Sequence, residues 1–225
     1  MPSEQESASP NEMQPRSSGR RAIAIVVALV LLLACLLGIK PGLAAWARWM
    51  AASQLRSGAI SEAQRWLNWS DWFSPDVAET ERMRAVCFRL LGQMKRWEES
   101  LKRAQKAGLA RKRLERELTL GRVRQGVHED GEAALSRLSP NDRLPWESTA
   151  VLVRYYLNRN QPDRAKRLLQ KAEDELPHEP HITYLWGVYW YDQGDEARAL
   201  QKFRQTVLAQ PRHELALSAW AKLLE

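Results

Sequence analysis

Few residues in this chain have the types and spacing that do chemistry. His178 and His181 flank Glu179-Pro180, and two imidazoles three residues apart can begin a metal site, but a metal centre needs more ligands than this turn supplies. The two cysteines, Cys35 and Cys87, build no disulfide or zinc framework, because Cys35 lies inside an apolar run. Gly-rich phosphate loops, nucleophile elbows and paired-carboxylate signatures are missing. What remains is charge and aromatic surface. The 34 Lys+Arg against 27 Asp+Glu give a net charge of +7, which favours an acidic partner: a protein, a nucleic acid or an anionic lipid face. Trp66, Trp69, Trp72 and Phe73 recur at the spacing of one helix face. These groups suit binding better than bond-making, and no cofactor is implied.

The rest of the chain must position them. Its 225 residues, 44% of them hydrophobic, hold apolar area for one large core or two small ones. Residues 1–21 are rich in Ser, Glu, Gln and Pro, with no hydrophobic period. Such a segment buries too little to offset its ordering entropy, so a disordered tail is expected. Residues 22–39, from Ala22 to Ile39, are 18 uncharged and almost wholly apolar positions bounded by Arg20, Arg21 and Lys40. At about 1.5 Å per residue the run is about 27 Å long, close to a hydrocarbon core of about 30 Å. Trp46 and Trp49 follow where an interfacial aromatic belt would sit. A cleavable signal would have a shorter apolar core, although Gly42-Leu43-Ala44 offers a small-x-small site. A lipoprotein signal would use Leu32-Leu33-Ala34-Cys35, yet the apolar run continues through Leu36, Leu37 and Ile39. An uncleaved transmembrane helix over 22–39 is the expectation. From Ala44 onward apolar residues recur at spacings of three and four, strand-like alternation is absent, and turns arrive about every fifteen residues, so the fold class is all-α.

The turns repeat. Gly58, Gly92, Gly126 and Gly194 share a 34-residue phase, and the missing member is Asn160, the other residue that readily takes a left-handed backbone at a helix end. Five residues after each stand Ala63, Trp97, Gly131, Ala165 and Ala199, and nine after stand Leu67, Leu101, Leu135, Leu169 and Phe203. Seven before stand Ala51, Ala85, Thr119, Val153 and Gly187; seventeen after stand Pro75, Leu109, Arg143, Pro177 and Pro211. The pattern describes two antiparallel helices per unit. Small residues let them approach, Leu or Phe fills the space between, Gly ends the first helix and Pro ends the second.

On these residues the sequence resembles the tetratricopeptide repeat family, whose period is 34. The last unit carries the clearest match, with Trp186-Gly187, Trp190, Gly194, Ala199, Phe203 and Pro211, and the unit before it has Leu152, Tyr156, Ala165, Leu169, Ala172 and Pro177. The resemblance covers about four fifths of the chain. It implies a right-handed superhelical solenoid of five helix-turn-helix units at 44–77, 78–111, 112–145, 146–179 and 180–213, with a capping helix at 214–225. The middle unit departs most, because Arg122 replaces the usual aromatic and Gly131 and Pro140 weaken its second helix.

In that family ligands usually lie along the concave face of the first helices. Carried over unit by unit, the resemblance places Arg48 and Arg56, then Arg82 and Arg89, on that face. Arg113, Arg116 and Arg124 follow in the third unit, Arg154 and Asn158 in the fourth, and Tyr184 and Tyr191 in the fifth. The planar arginine fork pairs bidentately with carboxylates and phosphates, so an acidic or extended segment of a partner protein is the implied guest. The competing reading is a solvated face whose arginines pair locally with Glu. Ala52, Val86 and Leu120 stand where the family's carboxylate-clamp subgroup would want Asn, which speaks against that role. A first helix leaving the membrane near Ala44 and a second returning would bring Trp69 and Trp72 back to the lipid surface with Trp46 and Trp49. Packing against the next unit is the alternative.

The function expected is therefore a membrane-tethered, non-enzymatic protein-interaction scaffold. Two other readings compete: a basic nucleic-acid-binding repeat protein, and the N-terminal regulatory arm of a larger enzyme. The 34-residue period and its prolines argue against the nucleic-acid reading. Arg20 and Arg21 at the apolar boundary favour a cytoplasmic N-terminus, with the repeats extracytoplasmic, on the periplasmic side if the host is bacterial.

Overall fold

Every 34 residues along the repeat region the backbone turns left-handed. In the computed structural model, which describes residues 26, 40–73, 76–138 and 146–225, the φ angles of Gly58, Gly92, Gly126, Asn160 and Gly194 are 70°, 74°, 76°, 54° and 74°. At each site the following N–H reaches the carbonyl five residues back. The bonds are Ala59 to Gln54 at 3.0 Å, Gln93 to Phe88 at 2.8 Å, Val127 to Arg122 at 3.0 Å, and Gln161 to Tyr156 and Asp195 to Trp190 at 2.9 Å. This helix ending satisfies carbonyls otherwise left without a partner and requires a residue that tolerates positive φ. Glycine at four sites and asparagine at the fifth meet the requirement.

The chain divides into two compact units, Met1–Lys40 and Pro41–Glu225. In the first, the described residues are Val26 and Lys40; apart from Val26, the expected span 22–39 lies outside the described residues. No helix among the described residues is long and apolar enough to cross a membrane.

Helix α1 (40–56) pairs with α2 (Ile60–Asp71) through buried Ala51, Leu55, Ile60, Ala63 and Leu67. Then α3 (Val77–Leu90) pairs with α4 (Met94–Lys106), and α5 (Arg111–Arg124) with α6 (Gly131–Ser136). Next α7 (Glu147–Asn158) pairs with α8 (Pro162–Glu175), α9 (Pro180–Asp192) pairs with α10 (Glu196–Ala209), and α11 (Glu214–Lys222) comes last. Each second helix from α2 to α10 also touches the helix that follows it, and α3, α5, α7 and α9 pack side by side in that order. The described residues thus form an all-helical repeat array without strands. The second helix of the third pair is the weak point: α6 has 6 residues where α8 and α10 have 14. Gly131 opens it, and Pro140 lies outside the described residues.

The small positions of the repeat are where helices touch. Ala51, Ala63, Ala85, Ala165 and Ala199 are fully buried. A Cβ on Gly187 would stand 2.5 Å from the Phe203 ring, so glycine is what lets α9 lie against it. In the second unit a large residue takes one of the small positions, and the next unit makes room for it. Trp97 occupies the position held by Ala in three other units, and Gly121 on α5 makes room, since a Cβ there would stand 2.1 Å from the Trp97 ring.

The array closes on itself. At the turn between α1 and α2, the Gly58 carbonyl accepts a hydrogen bond from Glu214 N at 3.1 Å, and the Glu214 carboxylate accepts from Ser61 N at 2.8 Å. The Arg56 carbonyl lies 2.8 Å from His181 Nε2, and His181 Nδ1 lies 2.8 Å from His213 Nε2. His213 Nδ1 in turn accepts from Ala216 N at 3.2 Å and caps α11. Only one arrangement of protons satisfies this chain with neutral rings: each imidazole carries its hydrogen on Nε2, His213 donating to His181 and His181 to Arg56. Burial and the neighbouring His181 push His213 down to about 3, and burial also lowers His181.

Candidate functional site

The first helices of the repeats pack side by side, and their arginines fall into two groups with different surroundings. The first group lies between α1, α3 and α5. Arg89 is fully buried, its Nε 3.3 Å from Glu117 and its Nη2 hydrogen-bonded to Glu147. The same Glu147 accepts from Arg116 at 2.8 Å; Arg82 lies 3.5 Å from Glu117 and 2.7 Å from Glu79, and Arg113 reaches Glu79 at 2.8 Å. Glu117 and Glu147 are as buried as Arg89. Burial pushes the Glu147 carboxyl up, but the Arg89 and Arg116 charges outweigh it and hold the group below its ordinary value. For Glu79 the Arg82 and Arg113 interactions likewise outweigh burial. The pair Glu79–Arg113 is spaced by 34 residues, so it links equivalent positions on neighbouring first helices.

Above this network opens a cavity of about 530 Å³, lined on its charged side by Arg56, Arg82, Lys112, Arg113 and Arg116 with Glu79, Glu117 and Glu147. Among the described lining residues, five cations face three carboxylates. Its apolar wall comes from Ala52, Leu55, Met83 and Val86. Arg116 Nε on the donor side and Glu117 Oε1 on the acceptor side are both buried without a hydrogen-bond partner among the described residues.

The second group lies at the closure seam. Arg124 and Arg154 line a smaller cavity of about 130 Å³ with Trp146, Tyr184, His181 and His213, and no carboxylate is among the described residues that line it. Burial first, then the charges of Arg154 and Arg89, lower Arg124 to about 10. The Trp146 ring stacks on His181 with centroids 3.9 Å apart.

The structure thus separates residues that the sequence placed on one face. Arg56, Arg82, Arg113 and Arg116 surround the large cavity, and Arg124, Arg154 and Tyr184 the small one. Arg89 requires a correction. It is a groove residue by position, but Glu117 and Glu147 cover its guanidinium and leave it no exposed surface for a partner. Arg48 lies 3.6 Å from Asp76, Asn158 donates to the Arg124 carbonyl at 3.3 Å, and Tyr191 sits under Lys222, 5.9 Å from its ring centroid. Those three line neither cavity. The sequence reading missed Glu117, Lys112 and His213. An acidic residue on the same helix, one turn from Arg113, was the available signal for Glu117; His213 had none, since its partners are far away in the chain.

On the α1–α2 hairpin, Trp46, Trp49, Trp69 and Trp72 are 47%, 60%, 37% and 84% exposed. Trp46, Trp66 and Trp69 meet edge to face, with centroids 5.1 to 5.9 Å apart, and Phe73 continues the cluster at 4.6 Å from Trp69. Rings packed in this way hold each other rigid while leaving their outer edges to the surroundings.

No protein-family model matches the chain. No curated protein matches it either. Among solved structures the chain is similar to the crystal structure of YrrB, a TPR protein with an unusual peptide-binding site. The two are 18% identical over 77% of this chain and 89% of that one, with a TM-score of 0.37.

Proposed function

We propose that the repeats are a membrane-tethered protein-interaction scaffold whose large inner cavity takes an acidic, extended segment of a partner protein. The observation that carries this reading is the charge of the cavity: five cationic side chains converge on about 530 Å³ with three carboxylates among them. A cavity of this size is ordinary for ligand recognition, and its apolar wall of Leu55, Met83 and Val86 suits the side-chain stems of a bound peptide. Arg113 stands at the rim, with 61% of its side chain exposed, so it meets a guest early; Arg116 and Arg82, more deeply set, hold it. The tether is the apolar run 22–39, and the exposed tryptophans of α1 and α2 fit the headgroup layer next to it. In this arrangement the N-terminus is cytoplasmic and the repeats lie outside the cytoplasm.

The binding half is tested with the full chain in detergent, by anisotropy of a labelled Glu- and Asp-rich peptide. Binding should weaken steeply with salt, and Arg56→Glu with Arg113→Glu should reduce affinity at least tenfold. A charge-reversed basic peptide binding equally well, or variants binding like the wild type, would sink the acidic-segment reading. For the tether, alkaline phosphatase and a fluorescent protein fused after Glu225 report the side on which the repeats lie. Fluorescence without phosphatase activity reverses the orientation.

A further inference from the structure

Among the described residues that line it, the small cavity at the closure seam has two arginines and no carboxylate. Arg124 comes from the last turn of α5, Arg154 from the middle of α7, and Tyr184 from α9; the floor is Leu55, Ile60 and Leu90. Among the described residues neither guanidinium has a hydrogen bond or an ion pair. That sets the pair apart from Arg82, Arg89, Arg113 and Arg116, each of which meets a carboxylate. One compensating influence is present. Arg124 Nη2 lies beside the C-terminal turn of α3, 3.6 Å from where a Cβ on Gly92 would be, and a helix C-terminus carries roughly half a negative charge. Half a charge does not balance two guanidiniums sharing one small cavity.

We propose that this cavity binds a small oxyanion, a carboxylate or phosphate group, between the Arg124 and Arg154 guanidiniums. Size limits the guest. A cavity of about 130 Å³ compares with the ~150 Å³ that accommodates one benzene molecule, so a single anionic group fits and a folded segment does not. The chemistry of the walls agrees. Two planar forks offer paired donors to oxygen, and Tyr184, which lines the same cavity, carries a hydroxyl donor. The apolar floor strengthens each of these bonds by excluding water. The site is independent of the peptide reading, because it lies at the seam and shares only Leu55 with the large cavity. An anion held there would also tie α5 and α7 to α9, which carries His181 of the closure.

The test uses the full chain in detergent, titrated with inorganic phosphate, with acetate, and with chloride at matched ionic strength. Binding is read by calorimetry and by the thermal midpoint. Phosphate or acetate should bind saturably, and at a hundredfold excess over Kd should raise the midpoint on the order of 5 °C over chloride. Arg124→Gln and Arg154→Gln should each abolish the saturable heat and the anion-specific shift. Arg154→Gln keeps the test open if the more deeply placed Arg124→Gln fails to fold. Response to phosphate alone assigns a phosphate-type guest, to acetate alone a carboxylate, and to both a general oxyanion site. Phosphate and acetate no better than chloride overturn the proposal. Arginines that serve only to balance the α3 terminus would lower the midpoint when replaced and leave any anion dependence as in the wild type, and that result also overturns it.

Discussion

The two arginine groups share a single helix, α5, yet they live in opposite electrostatic conditions. Arg113, Arg116 and Glu117 occupy the first half of α5, where Glu79 from α3 and Glu147 from α7 come alongside. Arg124 occupies the last turn of the same helix, and the equivalent positions on α3 and α7 hold Leu90 and Asn158. The period that brings a carboxylate beside Arg113 therefore brings none beside Arg124. Arginine count alone does not describe such a face. What distinguishes a structural arginine from one with binding capacity left over is which residue type the neighbouring repeats supply at the same height.

This contrast is open to direct challenge by mutation. The largest effect is expected at Glu147, which faces both Arg89 and Arg116. Glu147→Ala strands buried positive charge and should lower unfolding free energy by about 3–5 kcal/mol in urea titration. A loss below about 1 kcal/mol would mean that the network is not holding the helices together. Gly121→Ala acts on the helix that carries both groups. Its new methyl meets Trp97 at 2.1 Å, so α5 or the indole must shift, at a cost of about 1–3 kcal/mol. A wild-type midpoint for that variant would show the α4–α5 contact to be loose.

Acid probes the seam. His213 titrates at about 3 in the folded chain, below its ordinary 6.5, so the unfolded chain takes up the proton first. The contribution is complete above about pH 6.5 and is lost as the pH falls toward 3. Between pH 6.5 and 5.5 the expected loss is about 1 kcal/mol. Protonation fails here for structural reasons. A second hydrogen on either ring sets N–H against N–H between the imidazoles or against Ala216 N, and Arg124 and Arg154 add like charge to the same cavity. His213→Gln should flatten this part of the pH profile; an unchanged slope would place the titration elsewhere. The smallest effect is expected at Arg124. Arg124→Met removes charge that has no carboxylate partner among the described residues, and should leave stability unchanged or raise it by up to about 1 kcal/mol in phosphate-free buffer. A loss as large as that of Glu147→Ala would erase the distinction between the two groups.

The local architecture was legible in the sequence because it rests on rules that act within one turn or one hairpin. A left-handed residue every 34 positions, alanines where helices touch and Leu or Phe between them are dictated by backbone sterics and by the width of a helix pair. The chain places Gly58, Ala63 and Leu67 accordingly, and repeats that arrangement in each unit with a substitution or two. Arginines could also be named from their phase, although Arg48 and Arg89 line neither cavity. Which of them are neutralised could not, because Arg89 finds Glu147 58 residues away and nothing in a local pattern records that approach. Closure is further still from the sequence. Arg56 meets His181 125 residues on, and Ser61 meets Glu214 153 residues on. Small rotations between successive repeats add up over five units, and only their sum decides whether the ends pass or meet. The sequence by itself determined the helices and their turns. The tertiary structure decided that the ends join, that one arginine group is balanced, and that the other is not, since each depends on distances set by the whole superhelix.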